Sequence, residues 1–230
     1  MQTQQLTDVD EAVSDIADGA TVMIGGFGAA GQPVELIDAL IRRGATDLTV
    51  VNNNAGNGDV GLAALIERRR VRRIICSFPR QSDSWHFDRE FRAGRIELEL
   101  VPQGNLAERI RAAGAGIGGF FTPTGYGTQL AEGKETRQID GRGYVFEQPI
   151  HADVALIKAL RADQVGNLVY RKTARNFGPL MAMAATVTIA QVDEIVATGS
   201  LDPESVVTPG IFVDRIVVPA ATATGEEQTS

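Results

Sequence analysis

Cysteine is nearly absent from this 230-residue chain: Cys76 stands alone, so neither an intrachain disulfide nor a multi-thiolate metal site can be built. Histidine is almost as scarce. His86 and His151 show no metal-ligand spacing and no neighbouring nucleophile, and with no G-x-S-x-G elbow in the chain no complete catalytic set is visible and no metal site is expected. Basic residues are outnumbered, 22 Lys and Arg against 29 Asp and Glu, for a net charge of -7. Such a chain lacks the positive field that draws nucleic acids or anionic membranes, and neither is an expected partner. Long apolar runs are missing too, each being broken by Gly or a polar residue well short of a bilayer's thickness. The segment MQTQQLTDVDEAVSDIADG carries four Asp and one Glu, unlike a signal or transit peptide, and a cytoplasmic location is expected.

What the chain does have is 43% hydrophobic residues, enough to bury a core, and 25 glycines. One domain over residues 1–219 is expected, followed by a disordered tail, AATATGEEQTS, at 220–230. No repeat of fixed period occurs. Short apolar strands alternate with amphipathic helices: a helix over 8–16, a strand over 21–24, a helix over 34–43 with Pro33 before it and Gly44 after it, and a strand over 48–51. The alternation continues with a helix over 60–69, strands over 71–76 and 98–101, and a helix over 106–113. Further on come a strand over 154–159, a helix over 179–185, and strands over 186–189 and 194–197. This pattern predicts an open, mainly parallel, doubly wound α/β sheet with helices on both faces. Residues 114–148, rich in Gly, Thr and Pro, predict an excursion at the sheet edge that includes a small hairpin.

The stretch Gly25-Gly26-Phe27-Gly28-Ala29-Ala30-Gly31-Gln32-Pro33 joins a strand to a helix, the setting in which glycines let a backbone approach a phosphate. Gly26, Gly28 and Gly31 also spell the dinucleotide pattern G-x-G-x-x-G. A nicotinamide site would want an acidic residue at the end of the second strand, where this chain has Asn52-Asn53-Asn54. A tight turn that holds no ligand stays open on the glycines alone. Gly127 to Glu135 falls one residue out of register with a nucleotide-binding P-loop and has Glu where Mg²⁺ needs Ser or Thr. Asn53, Asn54 and Gln103, at strand ends, are neutral donors suited to a carboxylate or oxyanion, although ordinary turn chemistry also uses Asn there.

Asp18-Gly19-Ala-Thr-Val-Met-Ile-Gly25-Gly26-Phe27-x-x-x-Gly31-x-Pro33 resembles the A-subunit signature of the class I, or 3-oxoacid, CoA-transferases. Asn53-Asn54-Ala55-Gly56, Val101-Pro102-Gln103-Gly104, Thr122-Pro123-Thr124-Gly125-Tyr126-Gly127 and Ala174-Arg175-Asn176-Phe177 are similar to the same family, over nearly all of residues 5–218. Cys76-Ser77-Phe78-Pro79-Arg80 and Ser200-Leu201-Asp202-Pro203-Glu204 most resemble the members acting on 3-oxoadipate in aromatic catabolism; the acetoacetate enzymes share the chemical motifs. The resemblance implies a separate B subunit that carries the nucleophilic glutamate, an A2B2 heterotetramer, acyl-CoA as substrate and no tightly bound cofactor. It implies further that Gly25, Gly26, Phe27, Gly28, Ala29, Ala30 and Gly31 form the CoA-associated loop, that Asn53, Asn54 and Gln103 line the acyl site, and that no catalytic residue lies in this chain. Glu132, Glu135 and Glu147 are accordingly not assigned as nucleophiles.

Other residues have plainer readings. Cys76 ends an apolar strand with no cation beside it, as a buried inert thiol does. The Arg68-Arg69-Arg70 and Arg72-Arg73 cluster spans a helix end, where a solvated face is expected. Arg80 is a candidate for the second carboxylate of a diacid. Arg171, Lys172 and Arg175 are candidates for the same role or for structural ion pairs. A sugar-phosphate isomerase-like or phosphate-sensing domain is the alternative of a different class, but it needs an acid or base near the glycine loop, where only Phe27, Gln32 and amides stand. A non-catalytic interaction module fits worse, given the density of motifs at strand ends.

Overall fold

In a computed structural model, which describes residues 3–219, alternation of period two decides which side chains meet which helices. The chain opens with β1 (Gln4–Leu6) and α1 (Val9–Ala12), the latter capped by the Asp8 carboxylate, which accepts from Asp10 N–H at 2.8 Å. Then follow β2 (Thr21–Ile24), α2 (Val34–Arg43), β3 (Leu48–Val51), α3 (Leu62–Glu67), β4 (Val71–Cys76), α4 (Trp85–Arg92), β5 (Glu97–Leu100) and α5 (Gln103–Gly114). A three-stranded antiparallel excursion is made of β6 (Phe120–Thr122), β7 (Thr136–Ile139) and β8 (Arg142–Glu147), in the order β6-β8-β7. The chain returns through β9 (Ala152–Asp163), β10 (Leu168–Val169), α6 (Gly178–Ala184), β11 (Ala185–Val196) and β12 (Arg215–Val217).

The main sheet runs β1-β12-β11-β9-β2-β3-β4-β5, parallel throughout, with β10 added antiparallel to β9. Val22, Ile24, Val50, Ile74 and Leu156 face one way, into a cluster with Leu36, Leu40, Leu62, Leu65 and Phe87 from α2, α3 and α4. Met23, Val51, Ile75, Ala155 and Ile157 face the other way and meet Leu106, Ile110 and Met181 from α5 and α6. Helices therefore cover both faces, as the alternating pattern requires.

Progression through the sheet reverses between β2 and β9. From β2 the chain steps outward through β3, β4 and β5; from β9 it steps the other way, through β11 and β12. Parallel sheets open a crevice at such a reversal, beyond the carboxyl ends of the strands. Pairing of β2 with β9 stops at Ile24 and Leu156, whereas β9 and β11 continue together to Asp163 and Val196. The β9–β11 pair thus overhangs the loop that leaves β2.

Several elements differ from the sequence expectation. The first helix ends at Ala12 because the N–H groups of Ser14 and Ile16 reach back only three residues, to Glu11 and Val13. The helix expected over 60–69 is shorter because Arg69 takes a φ of 55°. The strands expected over 186–189 and 194–197 are two parts of β11, whose continuity is masked in sequence by polar Gln191 and Asp193. Helix α4 had no counterpart in the pattern, since its buried face includes His86 and Glu90 beside Phe87. The tail at 220–230 lies outside the described residues. No helix among the described residues is long and apolar enough to cross a membrane.

Candidate functional site

Four consecutive parallel strands deliver polar groups to one end of the sheet: the glycine loop after β2, Asn52 to Asn54 after β3, Ser77 after β4 and Gln103 after β5. The three asparagines are buried and play different parts. Asn52 donates to Ile24 O at 2.6 Å and accepts from Asn54 N–H at 2.8 Å, tying the ends of β2 and β3 together. Asn53 Oδ1 accepts from Ser77 Oγ at 2.6 Å and from Gln103 Nε2 at 2.8 Å. Asn53 and Gln103, far apart in sequence, are thus in direct contact, held by Ser77, which lies in the Cys76–Arg80 stretch but has no role assigned from sequence. Both acceptor positions of Asn53 Oδ1 are occupied, so its amide nitrogen is left as the group able to donate to something else.

Asn54 is placed differently. Its Oδ1 accepts from Gly56 N–H at 2.9 Å, while its Nδ2 is buried and has no hydrogen-bond partner among the described residues. Such an orphan costs about 1–3 kcal/mol unless something outside the chain satisfies it.

The glycine loop is a closed turn. Phe27 and Ala30 exchange backbone hydrogen bonds at 3.0 and 3.3 Å, Gly25 N–H reaches Leu156 O at 2.8 Å, and Gly26 N–H reaches Asn176 Oδ1 at 3.0 Å. Gln32 N–H binds Ala29 O, and α2 begins only at Val34, behind buried Gln32 and Pro33. Among the loop's N–H groups only those of Gly28, Ala29 and Gly31 are uncommitted to the described residues. The expectation that N–H groups at the helix start would attract an anion is therefore met by few donors. Gly31, at φ 73°, is where glycine is required: a Cβ there would lie 2.3 Å from Ala174 O. The contact is fastened by Asn176, whose Nδ2 donates to Ala30 O and Ala174 O, both at 3.0 Å. Asn176 itself sits at φ 24° and Lys172 at φ 51°. Left-handed backbone at two ordinary residues so close together stores strain of the kind found at ligand sites.

The remaining candidates fall elsewhere. Cys76 is fully buried and its thiol is pushed up to about 12 by burial, so it stays protonated and inert. Arg69, Arg72 and Arg73, at the opposite end of the sheet from the glycine loop, pair with Glu90, Glu97 and Glu99. Arg80 donates to Asp88 at 2.6 Å and lies over the ring of Phe91. Glu132 is exposed, Glu135 binds Arg137, and Glu147 is buried against Lys134 at 2.9 Å and Asn105 at 3.1 Å. Arg171, Lys172 and Arg175 make no ion pair with the described residues and line the clefts beside the glycine loop.

Residues 6–219 match the Coenzyme A transferase family, and the chain belongs to it. It is 66% identical to the A subunit of 3-oxoadipate CoA-transferase from Pseudomonas putida, across 94% of this chain and 93% of that one. It is 54% identical to the A subunit of succinyl-CoA:3-ketoacid coenzyme A transferase from Xanthomonas campestris pv. campestris, across 89% and 84%. Among solved structures, an acyl-CoA transferase from E. coli O157:H7 superposes with a TM-score of 0.82 at 23% identity, over 94% of this chain and 50% of that one. That likeness is one of fold. The protein is a CoA-transferase by family, and the sugar-phosphate alternative falls with that membership.

Proposed function

We propose that this chain is the A subunit of a 3-oxoacid CoA-transferase that moves CoA from succinyl-CoA to 3-oxoadipate, working with a B subunit that carries the nucleophilic glutamate. The observation that carries the reading is the Asn53–Ser77–Gln103 cluster: a polar strand end built of neutral groups, with no acid, base or thiol among the described residues hydrogen-bonded to it. A site of that kind can orient a carbonyl, but it needs a nucleophile from elsewhere. The 66% identity to a relative named for 3-oxoadipate supports the choice of acid.

In this reading the partner's glutamate carboxylate attacks the thioester carbonyl of succinyl-CoA. The carbon–sulfur bond breaks, giving a mixed anhydride and CoA thiolate. The thiolate then attacks the glutamyl carbonyl, releasing succinate and leaving CoA as a thioester of the glutamate. Attack by the 3-oxoadipate carboxylate reverses both steps and returns the glutamate. Each tetrahedral intermediate carries an oxyanion, and neutral amides stabilise that charge without forming a salt bridge that would quench the attacking carboxylate. Ser77 and Gln103 fix the Asn53 amide with its oxygen inward, so its nitrogen is pre-set as the donor. Acyl-CoA binds as a substrate, with no tightly held cofactor, and an A2B2 assembly acting in aromatic catabolism follows from the family resemblance.

The test is an assay of CoA transfer from succinyl-CoA to 3-oxoadipate and to acetoacetate, run on the purified chain alone and then on the chain mixed with its B subunit. Activity in the mixture only, higher with 3-oxoadipate, is the expected outcome. Activity of the isolated chain would overturn the split site, and a preference for acetoacetate would assign it to the 3-ketoacid branch, to which the 54% identical relative belongs by name.

A further inference from the structure

Among the described residues three carboxylate side chains are buried: Glu90, Glu147 and Asp163. Asp163 closes the β9–β10 turn by accepting from Val165 and Asn167 N–H, and Glu90 gathers arginines at the amino end of the sheet. Glu147, at the end of β8, has no such local task. Its Oε1 accepts from Lys134 Nζ at 2.9 Å and from Asn105 Nδ2 at 3.1 Å, and its Oε2 lies 3.7 Å from Arg109 Nε. Asn105 and Arg109 stand four residues apart, on one face of α5. Arg109 also donates to Gln148 O and to Glu99 of β5, both at 2.7 Å, and Asn105 donates to Thr124 O at 3.4 Å. The antiparallel excursion is thus sewn to the first two turns of α5, with Glu147 at the centre of the seam.

Gln103 is the first residue of α5, and its own turn is loosely held. Pro102 supplies no side-chain cap, no acidic residue stands in the first turn, and the N–H groups of Gln103, Gly104 and Asn105 are uncommitted to the described residues. Gly104 has open space where a Cβ would be. Asn105, buried and two residues past Gln103, is the side chain that bonds this turn to an element outside the amide cluster. A buried ion cluster adds little net stability, because desolvation offsets the attraction; its better use is to fix a geometry. We propose that the geometry fixed here is that of Gln103: Glu147 is a positioning residue that acts through Asn105 to seat the first turn of α5, an inference that rests on the function proposed above. Gln103 Nε2 meets Asn53 Oδ1 at 2.8 Å, so a shift of about 1 Å in the helix start breaks that bond and leaves the Asn53 amide held by Ser77 alone. The excursion, whose strand β7 is exposed along its whole length, then serves as a buttress behind α5, and the Thr122–Gly127 stretch is part of that support.

The test is a double-mutant cycle on kcat, run on the complex with the B subunit. Asn105→Ala removes the link and leaves Glu147 paired with Lys134. It is expected to lower kcat for transfer from succinyl-CoA to 3-oxoadipate by about 10-fold, with KM for both substrates within about 2-fold of wild type. In a Gln103→Ala background the same substitution should change kcat by less than about 2-fold, because the amide it seats is gone. Glu147→Ala should follow the same pattern. Glu147→Gln keeps the oxygen that Asn105 and Lys134 share, and should hold kcat within about 3-fold of wild type. Equal losses from Asn105→Ala with and without Gln103 overturn the proposal, as do a rise in KM alone, an unchanged kcat, or a Glu147→Gln variant that falls as far as Glu147→Ala. So does failure of Asn105→Ala to associate with the B subunit on size exclusion, which would assign the seam to a subunit contact. Wild-type complex that transfers no CoA to any acid would instead refute the function on which the inference rests.

Discussion

On the β3–β5 side of the glycine turn the polar groups are neutral and bonded to one another; on the β9 side they are charged and, among the described residues, without a carboxylate partner. The same chain shows what cations look like when they serve the fold, at the far end of the sheet, where Arg69, Arg89 and Arg95 converge on buried Glu90. Density of charge therefore does not mark a site in this protein. What distinguishes the β3 side is amides whose orientation is already fixed.

Removing an amide strikes the neutral side hardest. Gln103→Ala should lower kcat of the complex by about 10²-fold, the usual loss for a donor network around an oxyanion, while leaving thermal unfolding nearly unchanged; a change in KM alone would show that Gln103 merely binds. Gly31→Ala attacks the junction between the two sides, forcing a Cβ to within 2.3 Å of Ala174 O at a left-handed φ. A loss of about 3 kcal/mol in chemical denaturation is expected from overpacking plus backbone strain.

Glu90 tests the structural cations by contrast. Hydrogen bonds from Arg95, opposed by burial and then reinforced by Arg89, hold its carboxyl down to about 2. A carboxylate depressed on folding stabilises fully above its unfolded value, near 4.5, and that contribution fades as pH falls through about 2. Glu90→Gln should therefore cost about 1–2 kcal/mol at neutral pH, its exposed arginine partners limiting the effect, and the gap to wild type should close between pH 4.5 and 2 in unfolding scans. Arg80→Ala is expected to matter least: its pair with Asp88 is half exposed, worth about 0–1 kcal/mol, and kcat/KM should shift equally for 3-oxoadipate and acetoacetate. A selective rise in KM for 3-oxoadipate would instead assign Arg80 to the second carboxylate of a diacid.

Much of this architecture is legible in the amino-acid order. Strands 21–24, 48–51 and 71–76 and helix 34–43 emerge with the bounds their apolar patterns predict, because each is buried on a face that the pattern records. Asn53 and Gln103 are legible by motif, and the fold brings them together. Helix α4 is not, because its inward face carries His86 and Glu90, satisfied by Asp59 and by arginines that no local pattern announces. Ser77 is visible in sequence as part of the Cys76–Arg80 stretch, but its contact with Asn53, at the end of a different strand, is not.

Cys76 carries a practical consequence. With its thiol buried and raised to about 12, less than about one part in 10³ is thiolate at pH 8. This chain should therefore be silent toward disulfide dyes, and transfer between two acids liberates no net thiol. Once the partner's own contribution is subtracted, any colour that develops during turnover reads out water stealing the acyl group. The lone cysteine thus makes the chain a quiet background on which to count how often the enzyme spills its cargo.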